Sequence, residues 1–109
     1  MLNKQSLLIK KTQTVKLNEL NDEIKLRCLS ITERDEFWER FGKDSLESKK
    51  WRAVLISLCV VDENDNRMFQ ESDIDSVMNM QASIAEEIVD HCLTINGMNK
   101  TATDDAKKN

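Results

Sequence analysis

Residues 51–61 read WRAVLISLCVV, and residues 62–69, which follow directly, read DENDNRMF. Nine of the eleven residues in the first stretch are apolar, so a helix formed here would be apolar on nearly every face. Such a helix is stable only where other elements cover it. We therefore predict a central core helix from Leu46 to about Val61. The acidic turn at residues 62–66 ends that helix, and Phe69 returns the chain to the core.

The composition is that of a single folded domain. The chain has 109 residues, of which 39% are hydrophobic and 33% charged, with two Gly, no Pro and a net charge of −4. Nucleic-acid binding requires a clustered basic surface, and the Lys pairs of this chain are isolated from one another. The longest apolar run is about half of the ~20 residues that span a membrane, and no signal peptide is evident. We expect a cytoplasmic protein that binds neither nucleic acid nor membranes.

Ahead of the core helix, the pattern predicts a β-hairpin. Apolar residues alternate with polar ones at residues 13–19 and 23–29, and Asn21-Asp22 between them favours a turn. Val15 and Leu17 would face the core, and Lys16, Lys25 and Arg27 would face water. Because a lone hairpin is marginally stable, we expect it to pack on helices.

The rest of the chain predicts short helices. Ser30 or Thr32 can cap a helix at 32–41 that ends at Gly42, and Asp44 with Glu47 makes a second capping pattern ahead of the core helix. Helical spacing returns at 72–78 and 82–95, with a break in the left-handed conformation at Asn79-Met80 and a cap at Asn96-Gly97. The predicted fold is α+β and mainly helical: an N-terminal β-hairpin packed on about four α-helices.

We predict that both ends of the chain lie outside the folded domain. Residues 1–12 form a flexible lead-in or a small docking segment, residues 13–97 form the domain, and residues 98–109 form a polar, frayed tail.

Two patterns resemble metal or thiol sites. Asp62, Asn64 and Asn66 have the alternating oxygens of a calcium loop, but Arg67 occupies the position that requires Gly. Cys28, Cys59 and Cys92 are too widely spaced for a zinc or disulfide framework and fit buried apolar positions. We predict no metal, no cofactor and no catalytic residue, and therefore no enzyme.

Four apolar residues are candidates for binding a partner. Trp38 and Phe41 lie on a helix that has more aromatic residues than one narrow stripe can bury, and Met78 and Met80 flank the predicted helix break. Each pair fits two interpretations: ordinary core packing, or an adaptable surface for a partner protein.

The order of these segments resembles that of the small tail assembly chaperones of long-tailed bacteriophages. The similarity covers nearly the whole chain and lies in the order and spacing of short motifs. In chain order these motifs are Leu7-Leu8, the hairpin from Val15 to Leu29, Thr32-Glu33-Arg34-Asp35, the run from Val61 to Phe69, Asp73-Ile74, and Leu93 with Gly97-Met98. Members of that family often have Gly at the position of Asp65.

The resemblance implies a non-enzymatic protein of the bacterial host cytoplasm. Such a chaperone binds the long, helical tape-measure protein while the tail tube polymerises around it, contacts the tube subunit and self-associates. Many relatives also make a longer product by a programmed frameshift. Lys107-Lys108-Asn109 could be encoded by a slippery run of adenines, and codons that interrupt that run would remove this hypothesis.

A second interpretation comes from another class of proteins. The alternative is a small cytosolic regulatory interaction domain, such as an antitoxin-like or adaptor protein that masks another partner. The neighbouring genes discriminate between the two classes. A tube gene upstream and a very long coiled-coil gene downstream favour the chaperone, whereas an isolated or toxin-paired gene would contradict it.

Overall fold

The computed structural model describes residues 1–9, 11–41 and 49–98 of the chain. The elements, in order, are α1 (Lys4–Leu8), β1 (Thr12–Leu17), β2 (Asp22–Arg27), α2 (Ile31–Phe41), α3 (Trp51–Cys59), β3 (Val60–Val61), a 3-10 helix (Glu71–Asp73), α4 (Ile74–Val77) and α5 (Ala82–Ile95). The fold is α+β and mainly helical, as the sequence predicts. The predicted start of the core helix at Leu46, and the residues Gly42, Asp44 and Glu47, lie outside the described residues.

The predicted hairpin is present and forms two strands of a three-stranded antiparallel sheet in the order β1-β2-β3. β1 pairs with β2 so that Thr14 lies opposite Lys25 and Val15 opposite Ile24. The turn between them contains Asn21 with φ of 50°, a left-handed conformation that Asn adopts more readily than most residues.

The third strand corrects the prediction for the core helix. Val60 and Val61 were expected to continue the helix, but α3 ends at Cys59 and both valines pair with β2. Val60 has φ of −75° and ψ of 125°, which is extended backbone. β-Branched residues favour such a conformation because their side chains pack well on a pleated sheet.

Two arginines bind the carbonyl groups at the end of α3. The Arg27 Nε donates to the Leu58 carbonyl oxygen at 2.6 Å, and the Arg67 Nε donates to that of Ser57 at 3.0 Å. Arg27 also pairs with Glu33, with a distance of 2.5 Å from Nη2 to Oε2. The prediction that Arg27 faces water is therefore wrong: its side chain is 11% exposed, because β2 is the central strand and its end lies against α2 and α3.

The acidic turn is the tip of a tight hairpin. Asp62 accepts hydrogen bonds at its Oδ1 from the backbone N–H of Asn64 at 2.8 Å and of Asn66 at 3.1 Å. The chain then returns alongside β3, where Met68 N–H donates to the Val60 carbonyl at 3.1 Å. Asp65 at the tip has φ of 67° and pairs with Lys25. The hairpin returns Phe69 to pack against the core, as predicted.

Capping patterns define the ends of α2 and α5. Ser30 and Glu33 form a reciprocal capping box at the start of α2, with distances of 3.2 and 3.0 Å. α5 spans the predicted residues 82–95, and Asn96 is its C-cap residue, followed by Gly97 with φ of 64°. The N–H of Met98 donates to the Leu93 carbonyl at 2.8 Å and that of Gly97 to the Thr94 carbonyl at 3.2 Å, which is a Schellman motif.

The break before α5 differs from the prediction. No left-handed residue occurs at Asn79-Met80, since the positive φ values in the described ranges are at Asn21, Asp65 and Gly97. The chain turns instead at Gln81, with φ of −54° and ψ of 130°, after α4 has ended at Val77. The four residues 78–81 are not helical and separate the two helices.

The core lies between the sheet and the helices. α3 packs against α5 and α4, and α5 also contacts β1. Leu26, Leu55 and Cys59 are among its fully buried side chains. Met98, which was predicted to start the tail, is buried in this core. The predicted lead-in contains α1 and the first residue of β1.

Helices α1–α5 are too short to cross a bilayer. Within the described parts of the chain, no helix combines the length and the apolarity that a membrane span requires.

Candidate interaction surface

The aromatic residues of α2 divide between core and solvent. Phe37 is buried, Phe41 is half-buried against the core, and Trp38 is 48% exposed. The rings stay in contact: Trp38 meets Phe37 edge-on with centroids 5.7 Å apart, and Phe41 lies 5.1 Å from Phe37. Of the two predicted binding residues on α2, Trp38 exposes its ring to solvent. Phe41 packs against Phe37, which in turn contacts Trp38.

The two methionines divide in the same way. Met78, directly after α4, is 46% exposed, whereas Met80 is half-buried and packs against the core. Met80 thus fits the core-packing interpretation, and Met78 is available to a partner.

An ion pair connects α2 to the 3-10 helix that precedes α4. The Arg40 Nη2 lies 3.0 Å from the Glu71 Oε1, which joins the end of α2 to the 3-10 helix that leads into α4. α2 has no broad backbone packing against α4 or any other described element. Trp38 and Met78 therefore lie on separate elements and do not form one cluster.

Sequence reasoning missed other exposed apolar residues. Ile31 and Met68 are exposed, and Ile31 lies on the same face of α2 as Trp38 because the two are seven residues apart. That spacing was visible in the sequence. Exposure of Met68 was not, because it follows from the path of the hairpin at residues 60–68.

An open acidic groove is the second feature that sequence reasoning missed. It has a volume of about 640 Å³, lies between the β1–β2 turn and α5, and is lined by Asn18, Glu19, Ser83, Glu86, Glu87 and Asp90. None of these six residues is basic. The spacing of the three acidic residues on α5 could have indicated an acidic helix face, but not the approach of the turn.

Glu87 connects the two sides of this groove. Its carboxylate accepts the backbone N–H of Asn18 at 2.6 Å and that of Glu19 at 3.2 Å. The Asn18 N–H has the largest effect on the pKa of Glu87 and lowers it; burial opposes this, while the Glu19 N–H and the nearby His91 also lower it. The ionised carboxylate therefore holds the turn on α5.

Two of the three cysteines, Cys59 and Cys92, contact Asn96, and the Cys28 Sγ donates to the Ile95 carbonyl at 3.8 Å. Cys59 and Cys92 are fully buried and Cys28 is half-buried. A hydrogen bond to Cys59 and burial raise the pKa of the Cys92 thiol far above its usual value. The Asn96 side chain donates to the Cys92 carbonyl at 2.9 Å and to the Cys59 Sγ at 3.7 Å. The protonated, buried Cys92 thiol is therefore a poor nucleophile and serves as core packing.

The described residues offer no cluster of side chains that could coordinate a metal ion. No group of three or more His, Cys, Asp or Glu side chains is arranged there to hold an ion. In the turn that resembles a calcium loop, the Asp62 carboxylate accepts the backbone N–H of Asn64, within the same turn. The Arg67 side chain donates to the Ser57 carbonyl of α3.

Comparisons with known proteins give no significant match. No protein-family model matches this chain, and neither does any curated protein or solved structure.

Proposed function

We propose that this protein is a tail assembly chaperone of a long-tailed phage or prophage that binds a tape-measure protein without catalysing a reaction. The observation that carries this proposal is the exposure of two large apolar side chains on an acidic domain, Trp38 on α2 and Met78 directly after α4. Large flexible or aromatic side chains in such positions suit the capture of a partner helix.

Binding of an amphipathic helix is the mode that these residues suit best. A helical client can place its apolar stripe on such exposed side chains. The partly exposed ion pair between Arg40 and Glu71 joins α2 to the 3-10 helix that leads into α4. The net charge of −4 keeps the chaperone soluble and attracts basic segments of the client. The proposed site of action is the host cytoplasm, and the tube subunit is a further proposed partner.

The conformation of Asp65 supports the resemblance. Its φ of 67° lies in the left-handed region, where Gly meets no steric penalty. Members of the chaperone family often have Gly at this position, so the same turn would suit both residues.

Substitution of the two exposed residues tests the proposal. Trp38→Ser with Met78→Ser should reduce co-purification of the tape-measure protein at least tenfold while the fold is retained, since neither side chain is buried. Met68→Ser is the matched control because Met68 is equally exposed but lies on the hairpin at residues 60–68. Unchanged binding by the double variant, or equal loss by the control, would contradict the proposal.

The regulatory alternative would use the same exposed side chains. It is favoured if the gene lies beside a toxin gene and the protein captures that product. A tape-measure gene downstream and capture of its product favour the chaperone.

A further inference from the structure

The outer edge of β1 is open in the described part of the chain. β1 is the first strand in the sheet order β1-β2-β3, and no described strand lies on its other side. Exposed strand edges present unpaired N–H and C=O groups that can pair with another chain. Natural edges are often protected by Pro, a bulge or several charges. β1, with the sequence TQTVKL, has regular pairing and a single Lys.

The register shows which backbone groups point outward. Cys28 N–H donates to the Lys11 carbonyl at 2.9 Å, so Lys11 and Cys28 form a hydrogen-bonded pair. Such pairs alternate along an antiparallel ladder, and residues 13, 15 and 17 therefore bond to β2. The backbone groups of Thr12, Thr14 and Lys16 point away from β2, toward the open edge.

The segment ahead of β1 has unpaired apolar side chains. Met1, Leu2, Leu7, Leu8 and Ile9 are all exposed, and α1 buries none of its residues. Residues 1–11 contain three Lys and no acidic residue. The rest of the chain then has 13 basic and 20 acidic residues, a net charge of −7. The N-terminal segment is thus apolar and basic on an acidic protein.

The acidic groove lies at the opposite end of β1 from this segment. Its residues Asn18 and Glu19 follow Leu17, the last residue of β1, whereas the N-terminal segment precedes Thr12. The strand between them has five residue steps, or about 17 Å. A second copy that runs antiparallel reverses this order and brings its N-terminal segment to the groove end.

We propose that two copies of this chain associate through their β1 edges and exchange their N-terminal segments. Thr14 pairs with Thr14 of the second copy and Thr12 with its Lys16, because that register uses all three outward-facing residues. The N-terminal segment of each copy then passes Leu17 of the other toward the acidic groove and the exposed Leu20.

Charge complementarity and the size of the interface both favour a second copy of this chain as the partner. The Lys-rich, apolar segment matches a groove with four acidic residues, and Thr opposite Thr is a favourable cross-strand pair. Each copy would contribute 21 residues to the interface: residues 1–9, the six residues of β1 and the six groove residues. Stable interfaces use about 20–30 residues a side. The inference is independent of the proposed client.

Cysteine cross-linking tests the register directly. In a hydrogen-bonded antiparallel pair the Cα atoms are about 5.5 Å apart, which is within disulfide range. Thr14→Cys should therefore form a covalent dimer under mild oxidation. Thr12→Cys should not, because its two copies would be four residue steps, about 14 Å, apart. Equal cross-linking of both variants, or none for Thr14→Cys, would overturn the proposal.

Light scattering of the purified full chain tests the association itself. The unmodified protein should have the mass of two chains at micromolar concentration. Thr14→Pro removes an outward N–H from each copy and leaves the bonds to β2 intact, so it should weaken dimerisation about thirtyfold. Thr14→Val, which keeps the N–H, should remain dimeric. Circular dichroism verifies that each variant is folded. A monomer for the unmodified chain, or a Thr14→Val variant as weak as Thr14→Pro, would refute the inference.

Discussion

Replacement of Asn96 by Ala should destabilise the fold by about 2 kcal/mol. The Asn96 Oδ1 accepts the backbone N–H of Leu29 at 2.7 Å, and this bond joins the end of the β2–α2 connection to the end of α5. The Nδ2 donates to the Cys92 carbonyl at 2.9 Å. Ala would leave the half-buried Leu29 N–H without its partner, and an unpaired buried donor costs about 1–3 kcal/mol.

The remaining bonds of Asn96 add little to this value. The contact with the Cys59 Sγ is a weak hydrogen bond at 3.7 Å, and the Cys92 carbonyl also accepts the Asn96 backbone N–H at 3.2 Å. Those groups therefore keep part of their bonding in the variant, and the loss at Leu29 dominates.

Urea unfolding at pH 7 measures this difference as a shift in midpoint at constant slope. Asn79→Ala is the control, because its exposed amide makes one weak bond of 3.4 Å to the Asp75 carbonyl. The control should change stability by less than about 0.5 kcal/mol. A loss below that value for Asn96→Ala would refute the assignment of Asn96 as the connection between these elements.

Three further predictions concern other parts of the fold. Gly97→Ala should cost about 1 kcal/mol by thermal unfolding, because nothing lies near a new Cβ and the left-handed φ alone opposes it; no loss would exclude the Schellman motif. Leu55→Ala should cost about 2–5 kcal/mol in urea, since this side chain is fully buried, and a smaller loss would contradict its central position. The lowered pKa of Glu87 means that its stabilisation is present above the ordinary value of 4.5 and is lost as pH falls through the folded value. Glu87→Gln should therefore flatten the acid side of the stability profile, and an unchanged profile would contradict the role of the Asn18 N–H.

Local patterns predicted much of the fold. The alternation in residues 13–29 indicated the hairpin, and α5 begins and ends where the helical spacing and the Asn96-Gly97 pair indicated. The third strand was not predictable in the same way. Val60 and Val61 continue an apolar run, and their pairing with Lys25 and Leu26 depends on contacts about 35 positions apart in the chain.

The candidate surface was predictable only in part, for a related reason. Helical spacing grouped Phe37, Trp38 and Phe41 but could not say which of them faces the core. The packing of α2 buries Phe37 and leaves Trp38 exposed. Likewise, the sequence did not distinguish Met78 from Met80, because their burial depends on the path of the non-helical residues 78–81 between α4 and α5.

The proposed function is tested most directly by co-expression with the tape-measure protein that the proposal expects to be encoded downstream of this gene. The soluble fraction of the tape-measure protein is measured with and without this chain, followed by light scattering of the purified material. We predict that the tape-measure protein becomes soluble only with this chain present and elutes with it as one complex of defined mass. A tape-measure protein that stays insoluble, or that elutes apart from this chain, would contradict the proposal.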